Sequence, residues 1–466
     1  MAGASYPLVR TRLPAAAAIG AWAAAIALAP TPALKLILAA PALLIPFAWW
    51  MVAAPGRWVV CFLAAAIVLP PLPVALGDSG PHICLLFAAI GLFSGVLALG
   101  RWRVPASALN GALASLLLVM LASIAPAAVY SGAPVAAGSF VRVLLFGIAV
   151  YLFWYTAHGP GSATVFFPAI RWIYWLAVVS ALFACVDFYF QFPAPAGYGA
   201  QFVWLDSGVY RRAQGVFYDA GAMGNFCAFF LIMIAAALSK PESRFAVSRK
   251  ALALGGVVFF AALVLSYSRS SLINVVIGLA VLSWLNRRRV RLARVAAILL
   301  MGGGCGVLLT WKLFPQFLEE YWTRVSSSAQ FFFSATEGVL SGRVASWYIL
   351  RDWLASHPWQ ALIGIGYKTL PYTDYLGGPV VGDNMYLTLL VETGILGLAA
   401  VLWLHVAVLR AAARGVNAAD PDKAWLNTWI LCFWSGQVVQ MLSVDLLTFW
   451  RLVPLYLWVL ALAVRS

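Results

Sequence analysis

The residues of this chain best suited to chemistry are arginines that stand beside long apolar runs. Arg211 and Arg212 lie in a segment rich in glycine and proline, and Arg343 lies in a stretch of about seventy residues, Leu313–Asp383, that gathers many of the acidic side chains. Arg269 is the most exacting case, because it occupies the short link Tyr267-Ser268-Arg269-Ser270-Ser271 between two long apolar helices. A guanidinium in that place costs desolvation energy unless it snorkels to the interface or meets an anion. Both readings stay open from the sequence. The planar fork of arginine grips phosphate oxygens two at a time, so three arginine-bearing sites on one membrane face are suited to hold a pyrophosphate.

Other chemistries leave no trace. There is no GxSxG elbow, no Walker loop and no HExxH, and His82, His158, His357 and His405 have no metal-ligand spacing. The pair Asp420-Pro421-Asp422 has the form of the acidic motif that binds metal in nucleotide-sugar transferases. It sits in a short link between two spans, where a turn or helix cap is the simpler reading. The six cysteines are scattered along apolar runs without a CxxC pair and read as small buried residues. No metal and no cofactor is expected.

The elements that must position these residues cross a membrane. Of 466 residues, 64% are hydrophobic and only 10% charged, against roughly a quarter charged in an ordinary soluble domain. Several runs reach the ~20 apolar residues that a bilayer crossing needs. The expected fold is an all-α polytopic membrane protein of about 12–14 transmembrane helices, with a large periplasmic loop that contains short helices. Four regions are expected: amino-terminal transmembrane helices over 1–190, central helices over 191–312 with an external loop at 191–219, the large loop at 313–383, and carboxy-terminal helices over 384–466. Within the large loop, 342–356 reads as a helix, after which Pro358, Gly364 and Gly366 impose turns.

The net charge of +15 would suggest nucleic acid in a soluble protein. With both termini on the cytoplasmic side, however, 19 of the 30 lysines and arginines fall on that side, and the positive-inside bias absorbs the whole excess. Nucleic acid is therefore not expected as a partner, and both long loops face outward.

Taken together, these pieces resemble the O-antigen ligase and O-antigen polymerase superfamily, bacterial membrane glycosyltransferases that take glycans from polyprenyl diphosphate. The resemblance is carried by the segment Arg212-Ala-Gln-Gly-Val-Phe-Tyr-Asp-Ala-Gly-Ala-Met-Gly224 and by the turn Ser266-Tyr-Ser-Arg-Ser-Ser271. It continues with Arg343, His357-Pro358-Trp359 and Gly364-Ile-Gly366, then Asp383-Asn384-Met-Tyr-Leu387 and Glu392-Thr-Gly394-Ile-Leu-Gly397. The pieces cover about residues 205–400 in the family's order, while the amino-terminal two hundred residues match only as helical membrane segments.

The resemblance implies metal-independent, inverting transfer at the periplasmic face of the bacterial inner membrane. Arg212, Arg269 and Arg343 would contact the anionic group, with Arg211 as a neighbour and with Tyr367 and Asn384 in the same substrate-binding set. The partners implied are a polyprenyl-diphosphate-linked glycan donor, a glycan or lipid A-core acceptor, membrane lipid and a chain-length regulator. The sequence departs from the family pattern at one point. Ligases of the family carry His-Asn, with the histidine as base, where this chain has Asp383-Asn384. Asp383 is then the first candidate for the catalytic base and His357 the second, although an ordinary aspartate pKa near 4 makes a weak base at neutral pH. Asp383 could also orient a sugar hydroxyl or cap the following helix. The substitution favours a repeat-unit polymerase over a ligase that attaches glycan to lipid A-core. A flippase or transporter is the alternative from another class, since Arg142, Asp187 and Asp445 lie in or near spans.

Overall fold

The computed structural model describes residues 12–54, 56–72, 81–159, 163–194, 199, 201–205, 208–240, 247–287, 312, 319, 322–323 and 343–465. The apolar run at 295–311 and most of 313–342 lie outside the described residues, as do Asp206, Cys305 and the side chain of Arg343.

The described chain is almost entirely helical. Its first half runs α1 (Arg12–Leu28), α2 (Pro32–Ala53), α3 (Arg57–Val68), α4 (Cys84–Leu97), α5 (Ala108–Ala122), α6 (Ile124–Ser131), α7 (Ala133–His158) and α8 (Ala163–Phe190). A hairpin follows, β1 (Phe202–Leu205) and β2 (Gly208–Arg211). The second half holds α9 (Ala220–Ser239), α10 (Arg249–Leu265), α11 (Arg269–Leu285), α12 (Arg343–Ser356), α13 (Pro358–Ile363), α14 (Met385–Gly415), α15 (Pro421–Gln440) and α16 (Val453–Val464). Among the described residues, six helical stretches are long and apolar enough to cross a membrane: Leu34–Met51, Ala108–Ser131, Ala133–His158, Phe166–Phe190, Ala220–Ser239 and Met385–Gly415. The protein is an all-α polytopic membrane protein, as its composition predicts.

The core explains why α16 can be both short and central. Every residue from Val453 to Ala463 is buried, the signature of a helix enclosed on all sides. Around it Phe229 meets Trp429 at 4.3 Å and Tyr456 at 4.6 Å between ring centroids, and the Trp429 indole donates to Phe229 O over 2.9 Å. In the absence of water each such donor needs an internal acceptor.

The bundle has two chemically different ends. At one, Lys240 donates to Val416 O at 3.3 Å and Arg465 to Thr156 O at 2.6 Å, joining the termini of α7, α9, α14 and α16. Asp420, first of the acidic pair, caps α15 there by accepting from the Asp422 amide at 3.0 Å, which is the turn-and-cap role expected of it. The other end receives the loops that follow α8, α10, α13 and α15.

Those loops are ordered by backbone pairing. The hairpin at 202–211, with Phe202 opposite Arg211 and Leu205 opposite Gly208, is a departure from the sequence reading of 191–219 as plain loop. Its strands are only four residues long and carry no alternation that could have announced them. The loop after α13 instead docks on a break in α14. At Gly394 the backbone takes φ 70° and ψ −170°, a region open almost only to glycine. The break releases the Val391 and Glu392 carbonyls from intrahelical bonding. They accept from the amides of Ile365 at 3.1 Å and Gly366 at 2.8 Å.

A Cβ on Gly394 would stand 2.2 Å from the Leu362 carbonyl oxygen. Gly394→Ala should therefore cost about 1–3 kcal/mol from backbone conformation alone, with the clash added. Thermal unfolding of the purified protein in detergent should show a clearly lower midpoint, and an unchanged midpoint would show that the break is dispensable.

Candidate functional site

Where the loops meet, two adjoining cavities open. The smaller, about 310 Å³, is lined by Arg212, Arg269, Asp383 and Asp445 together with Asp219 and Gln201. The larger, about 510 Å³, is lined by Arg142, Tyr367, Lys368, Tyr372, Trp450 and further aromatic residues. Gln201, Asp219, Thr448 and Phe449 belong to both.

Local structure fixes each arginine. The Arg212 amide donates to Gln201 O at 2.8 Å, extending the hairpin, and its Nε donates to Ser266 O at 2.8 Å. The Ala213 amide reaches Leu265 O at 2.9 Å, so the Arg212 strand is tied to the carboxy-terminal end of α10, directly before the Arg269 turn. Beneath that turn a polar seam runs through the apolar bundle. Gln440 Nε2 donates to Ser271 Oγ at 3.0 Å, Ser271 Oγ meets Ser268 Oγ at 2.8 Å, and Gln440 Oε1 accepts from both Asn225 and Asn274 at 2.8 Å. Gly224 lets α9 approach, since a Cβ there would stand 2.6 Å from that of Ser268.

The electrostatics favour an anion. Helices α9, α11 and α14 all begin at the smaller cavity, directing the positive ends of their dipoles towards it, and Arg212 and Arg269 add full charges. Two of the three carboxylates are helix caps. Asp219 caps α9 through the Ala222 amide at 2.8 Å. Asp445 accepts the Leu447 amide at 3.0 Å and the Lys368 ammonium. Asp383 differs, because the cap of α14 is Asn384, whose Oδ1 accepts from the amides of Tyr386 at 3.1 Å and Leu387 at 3.2 Å.

Backbone strain concentrates at the same place. Among the described residues, five non-glycine residues have positive φ, and four of them, Tyr218, Tyr267, Lys368 and Asp383, line one of the two cavities. Each such conformation costs energy that the surroundings must supply, a pattern typical of functional sites.

The structure thus brings Arg212, Arg269 and Asp383 together and places Tyr367 in the adjoining chamber. Burial, and then the Asp445 and Glu392 carboxylates, push the Tyr367 phenol well above its ordinary pKa, so it remains a neutral group. Arg211 is not among the lining residues. Its guanidinium is buried, 3.4 Å from Asp187, and donates to Phe192 O at 2.5 Å. His357 also lies away from both cavities, stacked on Trp353 at 4.7 Å with Nδ1 2.9 Å from Trp353 O. The Arg343 side chain lies outside the described residues. Sequence reasoning did not assign Arg142, Lys368, Asp445, Asp219 or Gln201 to the site. Arg142 and Asp445 carried a usable signal, as ionisable residues in or near apolar spans.

Residues 254–402 match the family model described as O-antigen ligase. That span holds Arg269, Arg343, His357, Tyr367, Asp383 and Asn384, and the match agrees with the resemblance that the motifs carry. No curated protein matches the chain at a significant level.

The two neighbouring arginines should separate experimentally. Arg211→Ala leaves Asp187 buried without its partner and should cost about 3 kcal/mol or more of stability. Arg212→Ala, at the cavity wall, should leave the thermal midpoint close to that of the parent protein. Equal midpoints for the two variants would contradict this division.

Proposed function

We propose that this protein is an inner-membrane glycosyltransferase that moves a glycan from a polyprenyl-diphosphate carrier to an acceptor hydroxyl at the periplasmic face. The observation that carries the proposal is the convergence of Arg212 and Arg269 with Asp383 in one cavity at the starts of three helices. The O-antigen ligase match supports the reaction class. The sidedness rests on charge: the termini carrying Arg57, Lys240, Lys250, Arg410, Arg414 and Lys423 lie at the end opposite the cavities, which the positive-inside rule assigns to the cytoplasm.

In this reading Arg212 and Arg269 hold the diphosphate oxygens. The acceptor oxygen attacks the anomeric carbon from the side opposite the leaving group, and the bond from that carbon to the diphosphate oxygen breaks with its electron pair leaving on the phosphate. The acceptor proton passes to the Asp383 carboxylate. The arginines stabilise the charge that develops on the departing diphosphate, so the mechanism calls on no metal. Repeat-unit polymerisation is the preferred outcome and ligation to lipid A-core the alternative. The presence of Asp383 in place of the ligase histidine favours the former. The ion pairs of Asp187 with Arg211 and of Asp445 with Lys368 give the near-membrane acids structural partners, which weakens the case for a transporter.

Asp383→Asn should keep donor binding and lose at least ~100-fold in turnover with purified protein in lipid, the lower range for general base catalysis. Because Asn384 provides the cap, loss of helix capping does not confuse the result. Near-normal turnover would remove Asp383 as base. For sidedness, a single cysteine at Asp374, in a background lacking the native cysteines, should react with an impermeant thiol reagent in cells whose inner membrane is intact. Labelling only after that membrane is permeabilised would reverse the orientation.

A further inference from the structure

The larger cavity carries features that a diphosphate does not need. Tyr372 is 42% exposed although it lines a cavity wall, and the Arg142 guanidinium lies over its ring, 4.4 Å from the centroid. Trp450, on the same lining, is held from behind by an edge-to-face contact with His82 at 5.9 Å and 81°. His82 is itself fixed, its Nε2 3.0 Å from Leu69 O and its Nδ1 accepting the Cys84 amide at 3.1 Å. Both aromatic side chains are thus braced by other groups. The same lining also carries the polar residues Lys368, Gln201 and Asp219. Each of these has a protein partner, in Asp445, the Ala220 amide and the Ala222 amide, and each keeps further hydrogen-bonding positions for a polar ligand. A sugar presents a C–H face to an aromatic ring and hydroxyls to the charged groups, so it satisfies both.

We propose that the larger cavity is the acceptor subsite, binding the terminal saccharide of the acceptor glycan on Tyr372 and Trp450 and leaving the smaller cavity to the donor diphosphate. The shared wall of Gln201, Asp219, Thr448 and Phe449 is where an acceptor hydroxyl passes from one chamber towards Asp383 in the other. The Lys368–Asp445 pair spans the same division, since Lys368 lines the larger chamber and Asp445 the smaller. A volume of about 510 Å³ lies in the range of ligand pockets, roughly 300–1,000 Å³.

This assignment rests on the transfer reading, yet it can be tested by binding alone. The probe is the repeat-unit oligosaccharide released by mild acid from the source cell's own surface polysaccharide, free of lipid and diphosphate. Isothermal titration on the full-length protein in lipid nanodiscs should show saturable binding. Tyr372→Ala and Trp450→Ala should each weaken it by about tenfold, the scale of one lost aromatic contact, with thermal midpoints near that of the parent. Arg269→Ala should weaken binding of polyprenyl diphosphate but change oligosaccharide binding less than twofold. The proposal is overturned if the parent protein binds no oligosaccharide, if neither aromatic substitution weakens binding, or if neutral polyprenol displaces the oligosaccharide. A protein that binds the oligosaccharide normally but transfers nothing would count against the transfer reading and not against this subsite.

Discussion

The hydrogen-bonded seam of Asn225, Asn274, Gln437 and Gln440 is the interaction on which the rest of the site depends. These amides are buried among apolar helices, and in hydrocarbon surroundings an unpaired amide is costly. The observed packing of α9, α11 and α15 brings these amides within hydrogen-bond reach of one another. The Tyr456 hydroxyl, which donates to Asn225 Oδ1, adds α16 to the same arrangement. Apolar contacts alone would allow these helices to slide, because lipid tails and leucine side chains are nearly equivalent partners. The amides set the register, and through Ser271 and Ser268 they fix the turn that carries Arg269.

A second constraint acts from the other side of the cavity. The break at Gly394 makes α14 a partner for loop backbone, and the loop that docks there carries Tyr367, Lys368 and Tyr372. Glu392 takes part directly, since its Oε1 accepts the Leu370 amide at 3.3 Å. Irregular backbone packed against a bundle needs partners for its polar groups, and this loop finds them on α14. Its end, Asp383, returns to the start of α14, where the Met385 amide donates to Met441 O at 2.9 Å and ties the loop to the seam-bearing α15.

The sequence made the helical architecture legible because span length and hydropathy depend on the bilayer and hardly on tertiary packing. Arg269 stood out for the same reason, as a cation in a link too short to hide it. Arg211 and Arg212 were told apart only by the family resemblance, which gave a contact role to Arg212 and left Arg211 as its neighbour. What separates them is the hairpin, which sends one guanidinium to Asp187 and leaves the other at the cavity, and four-residue strands carry no periodicity to reveal this. His357 appeared chemically attractive only because its stacking on Trp353 cannot be read from spacing. The capping role lay one residue later than the sequence suggested, on Asn384. Contacts such as Lys368 with Asp445 join residues far apart in the chain, and no local pattern predicts them.

The distribution of charge gives the site its internal logic. The smaller cavity brings two arginines and Asp383 to a common lining. Here the cations are placed by elements that do not carry the carboxylate: Arg212 by the hairpin and Arg269 by the seam, while Asp383 comes from the end of the docked loop. The separation lets each group be held in position independently. It also accounts for the strain at Tyr267 and Asp383, because loops entering one cavity from several directions must turn sharply, and non-glycine residues at positive φ persist only where surrounding structure over-determines them. The seam and the Gly394 junction supply that surrounding structure, so packing in the bundle offsets the conformational cost of bringing these side chains to a common cavity.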